Sequence, residues 1–334
     1  MFASQALPFM EPLHILGSGS IGLLFASCIR ISFPSYPITM LVRQRHESHL
    51  QKEGRSKSYM EVCLMTQKQP RMVRIPAQIV SGASTSSIRH LLLTTKAQDA
   101  PAALQSILHL LDKKSSRIII LCNGALAVKD EVAQVLRKAS LERTTRITLA
   151  STYHGAYLHE PDGDDLYHIT HAGVGKTFVE EDIPLAQLWD QSSLVATSIS
   201  SNEMSTLLWQ KLAANCVINP LTALLGCRNG AILDQEVYIK LAPCIIQEIS
   251  HVASHVYGGT QVQLQPDILA TFVDQVIQGT LDNKSSMYQD ILRKQPTEID
   301  FLNGYIVRLG KEGNIPTPAN QEICDSIFAL TANR

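Results

Sequence analysis

Two hydrophobic periodicities divide this chain. In the first part, short unbroken apolar runs alternate with stretches of helical spacing. Leu13–Leu16, Ile38–Val42, 90–95 and 117–122 read as strands buried on both faces, and 23–29, 99–111 and 128–138 read as helices. That alternation predicts an α/β domain built on a doubly wound parallel sheet. Beyond about residue 205 the strand pattern stops. Helical spacing then fills 207–225, 235–256, 266–279, 297–313 and 319–331. The chain therefore reads as a Rossmann-type domain over 1–205 and an all-helical domain over 206–334. Between the two patterns, 153–175 reads as a hairpin or extended edge closing the sheet.

The junction after the first strand carries a candidate binding turn. Gly17-Ser18-Gly19-Ser20-Ile21-Gly22 follows Leu16 and opens an apolar helix, the strand–turn–helix context in which a GxGxxG acquires meaning. Gly17 would make the tight turn, Gly19 would let a pyrophosphate approach the backbone, and Gly22 would let helix and strand pack closely. The phosphates would meet free N–H groups at the positive end of the helix. The second strand ends in Arg43 instead of an acid. An acid there would hold the ribose 2′-hydroxyl of NAD, whereas arginine suits the 2′-phosphate of NADP; the alternative is an ordinary solvated arginine. The third and fourth core strands deliver Lys96 and Asn123-Gly124 at their carboxyl ends, where open α/β sheets bind ligands.

Composition narrows the function classes. With 334 residues, 45% hydrophobic and 18% charged, the chain is long enough for two cores. A formal net charge of −1 argues against nucleic acid as a partner, and the basic group Arg43, Arg45 and His46 is sized for a single phosphate. Seven cysteines without a CxxC pair fit reduced thiols and a cytoplasmic setting. No apolar run is long enough to span a bilayer, so no membrane role is expected. Residues 154–171 hold four histidines and several aspartates, but their spacing matches no compact ligand motif, and Pro161-Asp162-Gly163-Asp164 is ordinary turn chemistry. No metal is expected, and residues 1–10 read as a loose extension.

The helical domain offers the candidate chemistry. Lys211, Asn215 and Asn219 recur every four residues among Leu, Ala, Val and Ile, which sets them in one stripe about 6 Å apart along a helix. Either they are polar groups kept for a purpose in a dry wall, or the amides bond to a neighbouring element. Pro220 removes one backbone hydrogen bond and predicts a kink that turns the Asn219 amide and a freed carbonyl toward a cleft. Glu298 and Asp300 follow Pro296-Thr297, where acids suit the first turn of a helix as well as a binding site.

Several strings now carry a resemblance. They are Trp209-x-Lys211-Leu212-x-x-Asn215-Cys216-x-Ile218-Asn219-Pro220-Leu221-Thr222-Ala223, Cys227-x-Asn229-Gly230, Ser285-Ser286-Met287-x-Gln289-Asp290, and Thr297-Glu298-Ile299-Asp300-x-x-Asn303-Gly304. With the glycine turn, Arg43, Thr95-Lys96-Ala97 and Cys122-Asn123-Gly124, they make the chain resemble the 2-dehydropantoate 2-reductase (ketopantoate reductase) family over nearly its full length. The resemblance implies an NADPH-dependent oxidoreductase of pantothenate biosynthesis, with a helical domain like the C-terminal domain of 6-phosphogluconate dehydrogenase. It implies an active site between the domains, with Lys211 as the catalytic acid. Asn123, Asn215, Asn219, Asn229, Ser286 and Glu298 would serve the substrate, Asn229 as a support. Gly17, Ser18, Gly19, Ser20, Ile21, Gly22, Arg43, Lys96 and Asn123 would hold NADP(H). The partner is a small 2-keto acid, and the protein is expected to be a monomer or homodimer.

The residue types suit that reaction. Reducing the C2 carbonyl of a 2-keto acid leaves an alkoxide that needs a proton, and a lysine beside it stabilises the charge and supplies the proton. Ser286 and the asparagines can donate to the carboxylate, and Glu298 can accept from the 4-hydroxyl. Leu126 and Ala231 stand where the family commonly has glycine and often has glutamate, which bears on affinity more than on reaction type. Two alternatives stand beside this reading: a reductase of another branched 2-keto acid, and an idle NADP(H)-binding sensor on the same fold.

Overall fold

The computed structural model describes residues 11–43, 51–52, 55–56, 58–66, 69–80, 87–159, 166–259 and 262–332. The expectations placed on the N-terminal ten residues, on Arg45 and His46, and on the turn at 161–164 lie outside the described residues. The chain forms two compact units, Met1–Met204 and Ser205–Arg334.

The first unit runs β1 (Leu13–Leu16), α1 (Ser20–Ser32), β2 (Ile38–Val42), a two-residue pair β3 (Gln51–Lys52) and β4 (Arg55–Ser56), β5 (Tyr59–Met65), β6 (Arg71–Ile79) and β7 (His90–Leu93). It continues through α2 (Ala100–Ile107), β8 (Ser116–Ile120), α3 (Ala125–Lys138), β9 (Thr145–Thr152), β10 (Gly155–Leu158), β11 (Tyr167–Gly173), β12 (Thr177–Glu180), α4 (Ile183–Trp189) and β13 (Ala196–Ile199). The main sheet has the order β10-β11-β5-β6-β2-β1-β7-β8-β9-β12-β13. From β6 to β9 all neighbours are parallel. The flanks turn antiparallel at β5–β6 and β9–β12, so the parallel core carries mixed edges. One of those edges is the β10–β11 hairpin, in the segment read as a hairpin.

Why the core strands are apolar throughout is plain from the packing. Leu13, Ile15, Leu91, Leu92, Leu93, Ile118, Ile119 and Ile120 are all fully buried, because the central strands are covered on both faces. Helix α1 is buried continuously from Gly22 to Ile29. It lies on β5, β6, β10 and β11, and the 183–194 segment packs against it as well. Trp189 meets Phe25 edge-on at 5.2 Å between ring centroids. A helix apolar on every side needs such a double cover, and each large side chain in it contributes about 1.5–3 kcal/mol. The helix expected over 99–111 is shorter: 3-10 turns at Ala97–Asp99 and Leu108–Leu110 bracket α2.

The second unit contains α5 (Ser201–Leu225), which starts just ahead of it, then α6 (Glu236–Val256), α7 (Pro266–Gln278), α8 (Ser286–Leu292), α9 (Asn303–Gly313) and α10 (Pro318–Ala332). Three features correct or extend the sequence-based expectations. First, α5 continues through Pro220, so no break turns a carbonyl outward. Second, 297–313 is not one helix: a 3-10 turn at Ile299–Phe301 ends at Leu302 (φ −112°, ψ −101°), and α9 begins only at Asn303. Ile299 and Leu302 are both driven into the core, and the chain bends between that turn and α9. Third, 286–292 forms its own helix, capped by the Ser285 hydroxyl, which accepts from Tyr288 N–H at 3.1 Å.

Candidate active site

Four of the proposed cofactor positions follow four adjacent parallel strands. Leu16 lies beside Leu41 and Leu93, and Leu93 beside Ile120, so β2, β1, β7 and β8 end together. The residues beyond those ends are Arg43, the glycine turn, Lys96 and Asn123. The chain leaves β1 toward β2 and later returns to β7 on its other side, which makes the β1/β7 gap the topological switch point of the sheet.

The three glycines of the turn do different work. Gly17 has φ +128°, and a Cβ there would meet the Thr94 carbonyl carbon and Oγ1 at 2.7 Å. A Cβ on Gly22 would fall 2.0 Å from the Gly17 carbonyl oxygen and 2.5 Å from Thr94 Oγ1. Thr94 Oγ1 in turn donates to the Gly17 carbonyl at 3.0 Å. Around Gly19 a Cβ would meet nothing within 4 Å. Gly17 and Gly22 are thus required by protein packing, while Gly19 leaves open space at the N-cap of α1, which has no side-chain cap. Free N–H groups beside open space fit a phosphate of a dinucleotide. Arg43 and Lys96 are both exposed, and Arg43 Nη2 lies 3.6 Å from Asp99 Oδ2 in the turn that follows Lys96. Asn123 is half-buried and precedes Gly124, whose left-handed backbone (φ 60°, ψ 26°) starts α3.

In the second unit the stripe on α5 is placed in an otherwise buried wall. From Leu212 to Ala223 every residue is buried except Asn215, and Lys211 is half-buried. Asn219 is 7% exposed, and its Nδ2 lies 3.5 Å from Ser286 Oγ. Thr222 Oγ1 lies 2.7 Å from Ser285 Oγ, so α5 and the start of α8 are joined at two successive turns of α5. The paired serines therefore separate: Ser285 is buried and structural, Ser286 is exposed beside Asn219. Glu298 is 7% exposed and precedes a single 3-10 turn. No α-helix starts at it, so the first-turn account of that acid loses its basis.

Asn229 spends its donors on the neighbouring loop. Its Nδ2 donates to Thr280 Oγ1 at 2.9 Å, and its backbone N–H donates to Asn283. Its Oδ1 is buried without a partner, which leaves it no open face for a substrate. It ties the 229–232 turn to the 280–283 loop that leads into Ser285-Ser286.

The comparisons bear on this arrangement. The profile described as "Ketopantoate reductase PanE/ApbA" matches residues 13–182, and "Ketopantoate reductase PanE/ApbA C terminal" matches 203–330. A 2-dehydropantoate 2-reductase of Vibrio cholerae is 32% identical over 248 residues, covering 72% of this chain and 77% of that protein. The chain belongs to the ketopantoate reductase family. A probable 2-dehydropantoate 2-reductase of Schizosaccharomyces pombe is 26% identical and covers 96% of both chains. Among solved structures, a PanE/ApbA family ketopantoate reductase from Ralstonia eutropha has a TM-score of 0.76 at 24% identity, covering 97% of this chain and 99% of that one. D-mandelate dehydrogenase with NADH and anilino(oxo)acetate shares the fold at the same TM-score, 20% identity and the same coverages.

Several residues of this family member had no assigned role in the sequence reading. Thr94, Thr222 and Ser285 each bond to a proposed site residue, and Asp99 lies 3.6 Å from Arg43. Only Ser285 left a local signal, a serine ahead of a helical stretch. Two histidines of the histidine-rich segment bond within the protein. His154 Nε2 lies 2.9 Å from the Leu194 carbonyl and must donate there, so its Nδ1 accepts from Gly175 N–H at 3.2 Å and from His171 Nε2 at 2.9 Å. Burial, then the neighbouring His154, hold His171 below the usual imidazole range. Among the described residues no group of three His, Cys, Asp or Glu could hold a metal, and no helix is long and apolar enough to cross a membrane.

Proposed function

We propose that this protein reduces 2-dehydropantoate to pantoate, with NADPH as the reductant. The observation that carries the reading is the α5 wall, where the half-buried Lys211 and Asn215 open a stretch that is otherwise buried through Ala223. A lysine flanked by apolar neighbours is placed to act on one bound oxygen instead of exchanging freely with water. The bound nicotinamide supplies the hydride. Lys211 stabilises the developing alkoxide at C2 and gives it a proton. Asn215, Asn219 and Ser286 orient the carboxylate, and Glu298 accepts from the 4-hydroxyl. Arg43 and Lys96 hold the 2′-phosphate that distinguishes NADP from NAD. Gly17 to Gly22 receive the pyrophosphate, and Asn123 orients the nicotinamide end.

The test is NADPH consumption with ketopantoate, native against Lys211→Ala. Turnover falling by about 10²–10⁴ with NADPH affinity retained is expected for loss of a general acid. Equal turnover in both proteins would remove Lys211 from the chemistry. A panel of 2-keto acids reads the pocket. A site that spends Glu298 on a hydroxyl rejects analogues lacking it, since the buried acid then loses the hydrogen bond that the hydroxyl would give it.

A further inference from the structure

Pro220 lies inside a helix that does not break. A proline has no N–H, so the carbonyl four residues back, that of Cys216, loses its helical donor. Cys216 is fully buried, with no route to water for that oxygen. The oxygen accepts instead from Asn303 Nδ2 of α9, 3.0 Å away and 87 residues along the chain.

That donor is one end of a directed relay. Asn303 Nδ2 also donates to Asn320 Oδ1 at 3.0 Å, and Asn320 Nδ2 donates to Glu248 Oε2 at 2.8 Å. The same carboxylate accepts the backbone N–H groups of Ala319 (2.8 Å) and Asn320 (3.0 Å) at the start of α10. Asn303 and Asn320 are fully buried, and Glu248 is 8% exposed. A carboxylate only accepts, so Asn320 must turn its NH2 toward Glu248 and its oxygen toward Asn303. Asn303 must then present its NH2, whose second hydrogen reaches Cys216. Orientation thus propagates from α6 through α10 and α9 to α5. Asn303 Oδ1 is left buried with no partner, a state that is normally avoided. An amide kept under that penalty is kept for its two N–H bonds.

We infer that Asn303 is a positioning residue: by filling the gap that Pro220 leaves at Cys216, it fixes the stretch of α5 between Asn215 and Asn219. This rests on the reading of α5 as the reductase's substrate wall. Cys216 directly follows Asn215, and the unbonded turn lies between the two asparagines. Without the tether, that turn has a buried carbonyl to satisfy and relaxes by bending, which moves Asn219 relative to Lys211 and Asn215.

The experiment is a four-way comparison of native, Asn303→Ala, Pro220→Ala and the double variant in the full chain. Pro220→Ala returns the N–H that Cys216 lacks, so it makes Asn303 dispensable. For Asn303→Ala the expected result is kcat lower by about 10-fold or more, from misplacement of groups by a fraction of an ångström. NADPH affinity stays within about twofold, because the glycine turn belongs to the other unit, and the kcat loss shrinks to under about threefold in the Pro220→Ala background. Hydrogen exchange over residues 212–224 should quicken in Asn303→Ala and return toward native in the double variant. Should Asn303→Ala fail to fold, Asn303→Asp keeps the shape, replaces the NH2 by oxygen and enters the same comparison. A lowered Tm with unchanged kcat, or an equal kcat loss in both backgrounds, would overturn the inference. Native protein silent on ketopantoate would instead remove the substrate reading and the positioning role with it. An active native enzyme with an unaffected Asn303 variant sinks the positioning role alone.

Discussion

Placing a methyl group on Gly22 or on Gly19 separates what the protein needs from what the dinucleotide needs. In Gly22→Ala the new Cβ stands 2.0 Å from the Gly17 carbonyl oxygen and 2.5 Å from Thr94 Oγ1. The first is a backbone atom of the turn and the second a side-chain hydroxyl bonded to it, so the turn must give by about 1 Å before the contact is tolerable. Overpacking of this kind costs about 1–3 kcal/mol, and the Thr94–Gly17 hydrogen bond adds about 1 kcal/mol if it breaks. Alanine's better helix propensity returns about 1 kcal/mol. The net is about 1–3 kcal/mol, or roughly 2–12 °C in Tm for a unit of this size. NADPH affinity should fall with it, because the displaced turn is the proposed phosphate seat. Gly19→Ala meets open space, so it should cost less than about 1 kcal/mol of stability. It should nevertheless weaken NADPH about 10- to 100-fold, the loss of charge-assisted bonds from a blocked backbone. Thermal melts and a fluorescence titration of NADPH read both variants. Gly22→Ala melting within about 2 °C of native would refute the packing argument. Gly19→Ala with native affinity would refute placing the pyrophosphate on this turn.

Other outcomes follow from single residues. Arg43→Ala should weaken NADPH about 10-fold or more and leave NADH unchanged. Its 3.6 Å pair with Asp99 is exposed on both sides, so Tm should stay put, and equal losses for both cofactors would remove Arg43 from specificity. Ser285→Ala should destabilise the protein by about 1–2 kcal/mol through the lost cap of α8, whereas Ser286→Ala should leave stability alone and raise KM; similar melts for the two would contradict the division of roles. Asp112 is held at about 2, chiefly by the Lys114 and Ser115 backbone N–H groups. A depressed carboxylate stabilises the fold above its unfolded value near 4 and loses that contribution as pH falls through about 2. Asp112→Asn should therefore flatten the acid side of the stability curve between those values, and an unchanged acid limb would deny Asp112 its role ahead of β8.

Local order was legible because it depends on neighbours in the chain. Unbroken apolar runs marked β1, β2, β7 and β8, since strands covered on both faces tolerate little else. The glycine turn was legible from its position between a strand and a helix. Lys211, Asn215 and Asn219 shared a face because helical geometry relates residues four apart whatever surrounds them. Partners distant in sequence were not legible. Nothing near Gly22 announces that Thr94 lies against it, and Thr94 itself reads only as a strand residue. Neither serine of the 285–286 pair shows by itself which one faces Thr222 and which stands open beside Asn219. The interruption of the helix expected at Pro220 did not form, for the same reason. Proline removes a donor locally, but whether the helix bends depends on what else reaches the abandoned carbonyl, and Asn303 arrives from 87 residues away. Sequence by itself determined the elements and the chemical groups they could present. Tertiary structure decided which of those groups are consumed inside the protein and which are left for a ligand, because a buried donor or acceptor must find its partner wherever the fold supplies one.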